Sequence, residues 1–157
     1  MSIDAVRAYF RSLGLADKIM EFPVSSATVE LAAQALGCAP ARIAKTLSFR
    51  TENDVVLIVC AGDVKIDNHK YKSRFGCKAK MLTAEEALEY TGHAIGGICP
   101  FGLKNPDIKV YVDLSLRRFA SVFPACGSSN SAIELQPEEL FFLARARDWV
   151  DVGKTKD

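Results

Sequence analysis

Gly96-Gly97-Ile98-Cys99-Pro100-Phe101-Gly102 places three glycines and one proline in seven residues, a run that continues neither helix nor strand. Glycine gives up too much backbone entropy, and proline has no N–H to donate. The apolar neighbours Ala94, Ile95, Ile98 and Phe101 imply a loop held against a core, with the N–H groups of Gly96, Gly97 and Ile98 turned to a ligand. Rigid N–H groups of this kind stabilise a developing oxyanion; the same letters also make an ordinary tight turn. Lys45 is the second candidate. In the alternating run Ile43–Arg50 it shares a face with Ile43, Leu47 and Phe49, while Ala44, Thr46, Ser48 and Arg50 share the other. A lysine on an apolar face lines a wet pocket, meets a partner, or carries its charge to solvent along its stem.

Other groups have weaker claims. Ser128, Ser129, Asn130 and Ser131 after Gly127 could hydrogen-bond a substrate or simply form a turn. His93 follows Gly92 and could work as an acid or base, or bond the carbonyls ending a helix. Cys99 would be a nucleophile only with a depressed pKa, and no histidine is adjacent to it in sequence. Between Lys65 and Lys80 six basic residues, Lys65, Lys70, Lys72, Arg74, Lys78 and Lys80, stand against the single acid Asp67. That local excess can attract phosphates or serve as a solvated face. No Ser-His-Asp order, phosphate loop or dinucleotide fingerprint is present.

These residues need a scaffold, and 157 residues with 49% hydrophobic and 25% charged side chains fit one domain with one core. The net charge of +1 does not by itself mark a nucleic-acid binder. No apolar run is long enough to span a bilayer and the N-terminus lacks the plan of a signal peptide, so a cytoplasmic location is expected, without a membrane. Five scattered cysteines without a C-x-x-C pair argue against a disulfide framework, and with only two histidines they offer no compact metal site. Neither metal nor cofactor is expected.

Apolar spacing predicts a helix from Ile3 to Leu13, a short strand from Lys18 to Val24, and a helix capped by Thr28 and stopped at Gly37. Ile43–Arg50 and Val55–Ala61 read as a hairpin whose second strand is buried on both faces. A helix from an Asp67 cap to Gly76, a strand from Lys78 to Leu82, and a helix opened by the capping box Thr83-Ala84-Glu85-Glu86 and closed at Gly92 precede the glycine loop. Beyond it are expected a strand at Ile108–Val112, a helical turn from Asp113 to Phe119, strands at Ser121–Ala125 and Ala132–Leu135, and a helix starting at Pro137. The mixture of hairpins and helices defines a single α+β domain around a mixed or antiparallel sheet.

Three motifs together carry a family resemblance. Ile43-Ala44-Lys45-Thr46-Leu47, then Thr91-Gly92-His93-Ala94-Ile95 running into the glycine loop, then Gly127 followed by Ile133-Glu134-Leu135-Gln136-Pro137-Glu138-Glu139-Leu140, resemble the YbaK/EbsC aminoacyl-tRNA deacylases. These are free-standing relatives of the editing domain of bacterial prolyl-tRNA synthetases, and the likeness runs from about Glu21 to Leu140. The resemblance implies a mixed sheet curled into a partly open barrel with helices around it. It implies hydrolysis of the ester of a misacylated tRNA, tRNA(Pro) carrying cysteine or another small amino acid, with prolyl-tRNA synthetase as a further partner. Lys45 and Gly97 would be catalytic. Phe22, Thr46, Gly96, Ile98, Cys99, Pro100, Gly127 and Ser128 would contact the substrate, and the Lys65–Lys80 cations the tRNA phosphates. Thr46 and Ser128-Ser129 replace the asparagine and histidine of alanine-clearing members. Lys-Thr-Leu is shared with cysteine-clearing ones, whose last loop differs in carrying an arginine. Two other readings compete: a module that binds tRNA or a synthetase without turnover, and a thiol enzyme using Cys99.

Overall fold

The structure is a computed structural model and describes residues 2–156. Five helices, α1 (Ser2–Ser12), α2 (Val29–Leu36), α3 (Asn68–Phe75), α4 (Ala84–Thr91) and α5 (Pro137–Leu143), surround nine short strands. The strands are β1 (Met20–Glu21), β2 (Ile43–Arg50), β3 (Val55–Ala61), β4 (Val64–Ile66), β5 (Lys109–Asp113), β6 (Phe123–Pro124), β7 (Ser131–Ala132), β8 (Asp148–Val150) and β9 (Gly153–Thr155). The central sheet has the order β6-β2-β3-β5-β8, antiparallel between β2 and β3 and parallel elsewhere. This is the mixed α+β architecture. Bridges from Val122 to Leu135 and from Ala125 to Ala132 carry the β6 edge towards the β1–β7 ribbon, and β4–β9 forms a second ribbon.

β3 is buried along its whole length because both of its faces are covered. Val55, Leu57, Val59 and Ala61 enter the main core with α1 residues Val6 and Phe10, whereas Val56 and Ile58 pack with Phe49, Tyr71, Val150 and Val152. The helix ends follow their letters. Thr28, Asp67 and Thr83 accept the expected N-terminal N–H groups, the Thr83–Glu86 box is reciprocal, and Gly37, Gly76 and Gly92 adopt the left-handed conformation that ends each helix.

Four expected elements shrink. The strand expected over Lys18–Val24 is Met20–Glu21 alone, preceded by a 3-10 turn at Ala16–Lys18. Pro23 cannot donate, and Phe22 instead pairs with Asn130. Lys78–Leu82 reduces to one bridge, Met81 to Phe49. The strands expected near residues 121–125 and 132–135 are two residues long each. The turn after Asp113 is a 3-10 helix over Leu114–Arg118. Asp113 does more than cap it: the buried carboxylate also accepts from the Val152 and Gly153 N–H groups, tying the chain's last segment to β5. No helix among the described residues is long and apolar enough to cross a membrane.

Candidate active site

Strand alternation places Lys45 as expected. It pairs with Cys60, in the row where Leu47 meets Ile58 and Phe49 meets Val56. That row is apolar until Lys45, whose ammonium donates to the carbonyl of Val64. Burial pulls its pKa below the ordinary lysine value, and the nearby Lys156 adds to that effect. The Cys60 thiol opposite is fully buried and pushed up to about 12, so it stays neutral.

Lys45 and Thr46 form one wall of a cavity of about 220 Å³, and Gly96 and Ile98 of the glycine loop line it as well. Ser26, Ser48 and Ser131 add hydroxyls; Val29, Ala32, Ile43 and Phe123 supply apolar surface. The Thr46 Oγ1 is buried and has no hydrogen-bond partner. The lining also includes Met81 and Ile95, which are 58% and 63% exposed and so mark the open side. The volume lies below the ~300 Å³ of common small-molecule sites, which suits a small substituent.

The glycine loop is shaped from below. His93 is fully buried, and its Nε2 donates to the Phe101 carbonyl at 2.7 Å; the Phe101 ring packs on Phe10 with centroids 4.8 Å apart. Gly97 needs to be glycine for packing: an added Cβ would lie 2.7 Å from the Ser128 nitrogen and 2.8 Å from the Gly127 carbonyl carbon. The two loops are therefore in backbone contact. The Gly97 N–H donates to the Ala94 carbonyl at 3.0 Å, contrary to the expectation that it faces a ligand. Among the described residues the Gly96 and Ile98 N–H groups have no acceptor in the protein.

The remaining expected residues separate. Gly97, Gly127 and Ser128 line an outer groove beside the cavity. Ser128 Oγ is hydrogen-bonded to Asn130 and Ser131, which organises its loop. Phe22 does not line the cavity; its backbone clips that loop through Asn130. Pro100 faces a separate cavity of about 210 Å³ with Tyr9, Arg145 and Arg147. Cys99, placed at the substrate by the sequence, lies wholly in the core. His93 does come within 3.6 Å of its sulfur, which sequence adjacency did not reveal. Burial nevertheless pushes this thiol up to about 12 and leaves no access to it, so a Cys99 nucleophile is not supported.

The basic segment is also divided. Lys70 binds Asp151 and the Gly153 carbonyl, each at 3.0 Å, and Arg74 binds Asp148 at 3.0 Å, so these two fasten α3 to the chain's last segment. Lys65, Lys72, Lys78 and Lys80 are exposed and outside any ion pair among the described residues. Sequence reading missed Ser26, whose letters serve as capping chemistry, and the Val64 carbonyl, which no side-chain pattern announces.

Lys45 and the glycine loop thus line one small cavity on this mixed sheet, and the comparisons with known proteins say which class of domain it is. The chain belongs to the aminoacyl-tRNA editing domain family, whose model matches residues 24–143. Uncharacterized protein YwhH of Bacillus subtilis (strain 168) is 56% identical over 155 residues, 98% of each chain. EbsC of Enterococcus faecalis, named as a candidate Cys-tRNA(Pro)/Cys-tRNA(Cys) deacylase, is 27% identical over 122 residues, 76% of this chain and 74% of that one. The proline–tRNA ligase of Heliobacterium modesticaldum is 34% identical over 87 residues, 55% of this chain but only 15% of the ligase. A crystal structure described as a candidate trans-editing enzyme for prolyl tRNA synthetase superposes with a TM-score of 0.87 at 31% identity, covering 98% of this chain and 97% of that one.

Proposed function

We propose that this chain is a trans-editing hydrolase that cleaves the aminoacyl ester of mischarged tRNA, namely tRNA(Pro) carrying cysteine or another small amino acid. The observation that carries the reading is the small cavity lined by Lys45 together with Gly96 and Ile98, whose N–H groups have no acceptor among the described residues. An aminoacyl ester is already activated, so positioning and electrostatics can supply much of the acceleration. The Lys45 ammonium, exchanging the Val64 carbonyl for substrate, holds the terminal phosphate or the ester carbonyl. Water adds to the carbonyl carbon and the oxyanion forms against the Gly96 and Ile98 N–H groups. The bond to the ribose oxygen then breaks, that oxygen takes a proton, and free amino acid and uncharged tRNA leave. Gly97 supports this geometry by holding the two loops together.

The exposed Lys65, Lys72, Lys78 and Lys80 attract tRNA, prolyl-tRNA synthetase is the natural source of the mischarged substrate, and the cytoplasm is the compartment this implies. The test is hydrolysis of tRNA(Pro) charged with cysteine, alanine, serine or proline. Selective loss of one wrong amino acid establishes the reading. A competing reading, a non-catalytic tRNA- or synthetase-binding module, draws on the engaged state of Lys45 and of the Gly97 N–H; tRNA bound with none of the esters cleaved would favour it.

A further inference from the structure

β4 and β9 pair antiparallel with Lys65 directly opposite Lys154. Like charges in that position are destabilising; among the described residues neither ammonium forms an ion pair, and Lys154 has only the more distant field of Asp67, whose pKa it helps to lower. The Lys156 N–H donates to the Asp63 carbonyl at 2.9 Å, extending the ribbon by one pair. Residues two apart share a face, so Lys156 lies on the face of Lys154, and Asp63 on that of Lys65. Asp63 is already engaged: Arg118 holds its two oxygens at 3.0 and 2.6 Å. The face thus presents three lysines beside two carboxylates that are already engaged, Asp63 by Arg118 and Asp67 by the Lys70 N–H at the start of α3.

The other edge of the ribbon leads to the cavity. Because Asp63 and Lys156 form a hydrogen-bonded pair, Val64 and Thr155 form a non-hydrogen-bonded one, and the Val64 carbonyl points away from β9. That carbonyl is the one Lys45 binds. Lys156 is near enough to help lower the Lys45 pKa, with Asp63 and Glu30 opposing it, so the end of the ribbon reaches the lysine of the cavity. Lys154 and Lys156 lie about 6.6 Å apart at two strand residues, on stems long enough to reach successive phosphates.

We propose that Lys65, Lys154 and Lys156 form a rail that holds the phosphates of a single-stranded tRNA 3′ end and leads it to Lys45. The proposal rests on the deacylase reading for its occupant. It goes beyond that reading because Lys154 and Lys156 lie outside residues 24–143, the part shared with the editing family. The opposed lysines weaken the free ribbon and are relieved when an anion arrives.

The test is binding of uncharged tRNA(Pro) to the full chain between about 50 and 200 mM salt. Replacing Lys154→Gln together with Lys156→Gln is expected to lower the slope of log affinity against log salt by about 1.4, since each single-strand phosphate contact contributes about 0.7. Arginine at both positions restores the slope. Arg11→Gln with Lys18→Gln removes the same charge outside the ribbon and is expected to change it by less than half as much. A tRNA(Pro) trimmed of its single-stranded 3′ end should be indifferent to the Lys154 and Lys156 changes. An unchanged slope, an equal effect from the Arg11 and Lys18 pair, equal sensitivity of the trimmed tRNA, or no tRNA binding by the wild type would each overturn the rail. The assay reads binding alone, so a chain that binds along the rail yet cleaves no ester rejects the deacylase reading and leaves the rail standing.

Discussion

Among the described residues, Thr46 holds the one cavity hydroxyl that is buried without a partner. A buried polar group left unpaired is costly, and a thiol or hydroxyl on the substrate would relieve that cost. Thr46→Val should therefore leave the melting temperature unchanged or higher while shifting hydrolysis from cysteine- or serine-charged towards alanine-charged tRNA(Pro); an unaltered preference would remove Thr46 from specificity. His93 contributes in another way. Burial lowers its pKa from the ordinary 6.5, although the Phe101 carbonyl opposes the shift. The folded state thus binds its proton less readily than the unfolded chain, so stability is full above about pH 6.5 and falls as pH drops through the lowered value. Urea midpoints at pH 7.5 and 5.5 should differ more for wild type than for His93→Gln. Lys45 was readable because strand alternation has a period of two, whereas the acceptor of its proton, a backbone carbonyl from β4, leaves no trace in sequence.

The elements that matter most are two loops whose backbones touch. Gly97 against Gly127 and Ser128 leaves no room for a Cβ, and neither side can retreat freely, since His93 and Phe101 pin one loop and Phe22 and Asn130 the other. Gly97→Ala should cost about 1–3 kcal/mol of stability, the usual penalty of overpacking, and should also lower deacylation. Chemical denaturation checks the first part. An alanine variant as stable as wild type would show that the loops separate easily. The glycine loop was legible as a shaped loop because its letters exclude helix and strand, but the reason for Gly97 was not, because it depends on a residue some thirty positions away. Short strands were the least legible elements: β1, β6 and β7 are defined by partners distant in sequence, and propensity over two residues decides nothing.

At the scale of the molecule, the chain folds its last segment back along β4, the strand whose Val64 carbonyl Lys45 binds. Asp113 accepts from Val152 and Gly153, Lys70 and Arg74 hold Asp151 and Asp148, and β9 then lies along the edge of β4 opposite to the one that Lys45 binds. Local patterns predicted the Asp67-capped helix bearing Lys70 and Arg74 but not what it fastens, so a basic run that looked uniform splits into structural and free cations. The fold class and the strand face carrying Lys45 followed from periodicity; the pairing of Lys65 with Lys154 and the approach of Lys156 to Lys45 required the tertiary structure. The account turns on Lys45 as the group that handles the ester end. Its most direct test is single-turnover hydrolysis of cysteine-charged tRNA(Pro) by wild type and Lys45→Ala, with melting temperature measured on both. Loss of about 100- to 1000-fold in rate, the scale of removing one electrostatic stabiliser, with the fold intact, is the predicted result. A folded Lys45→Ala chain that cleaves the ester within a few-fold of wild type would contradict it.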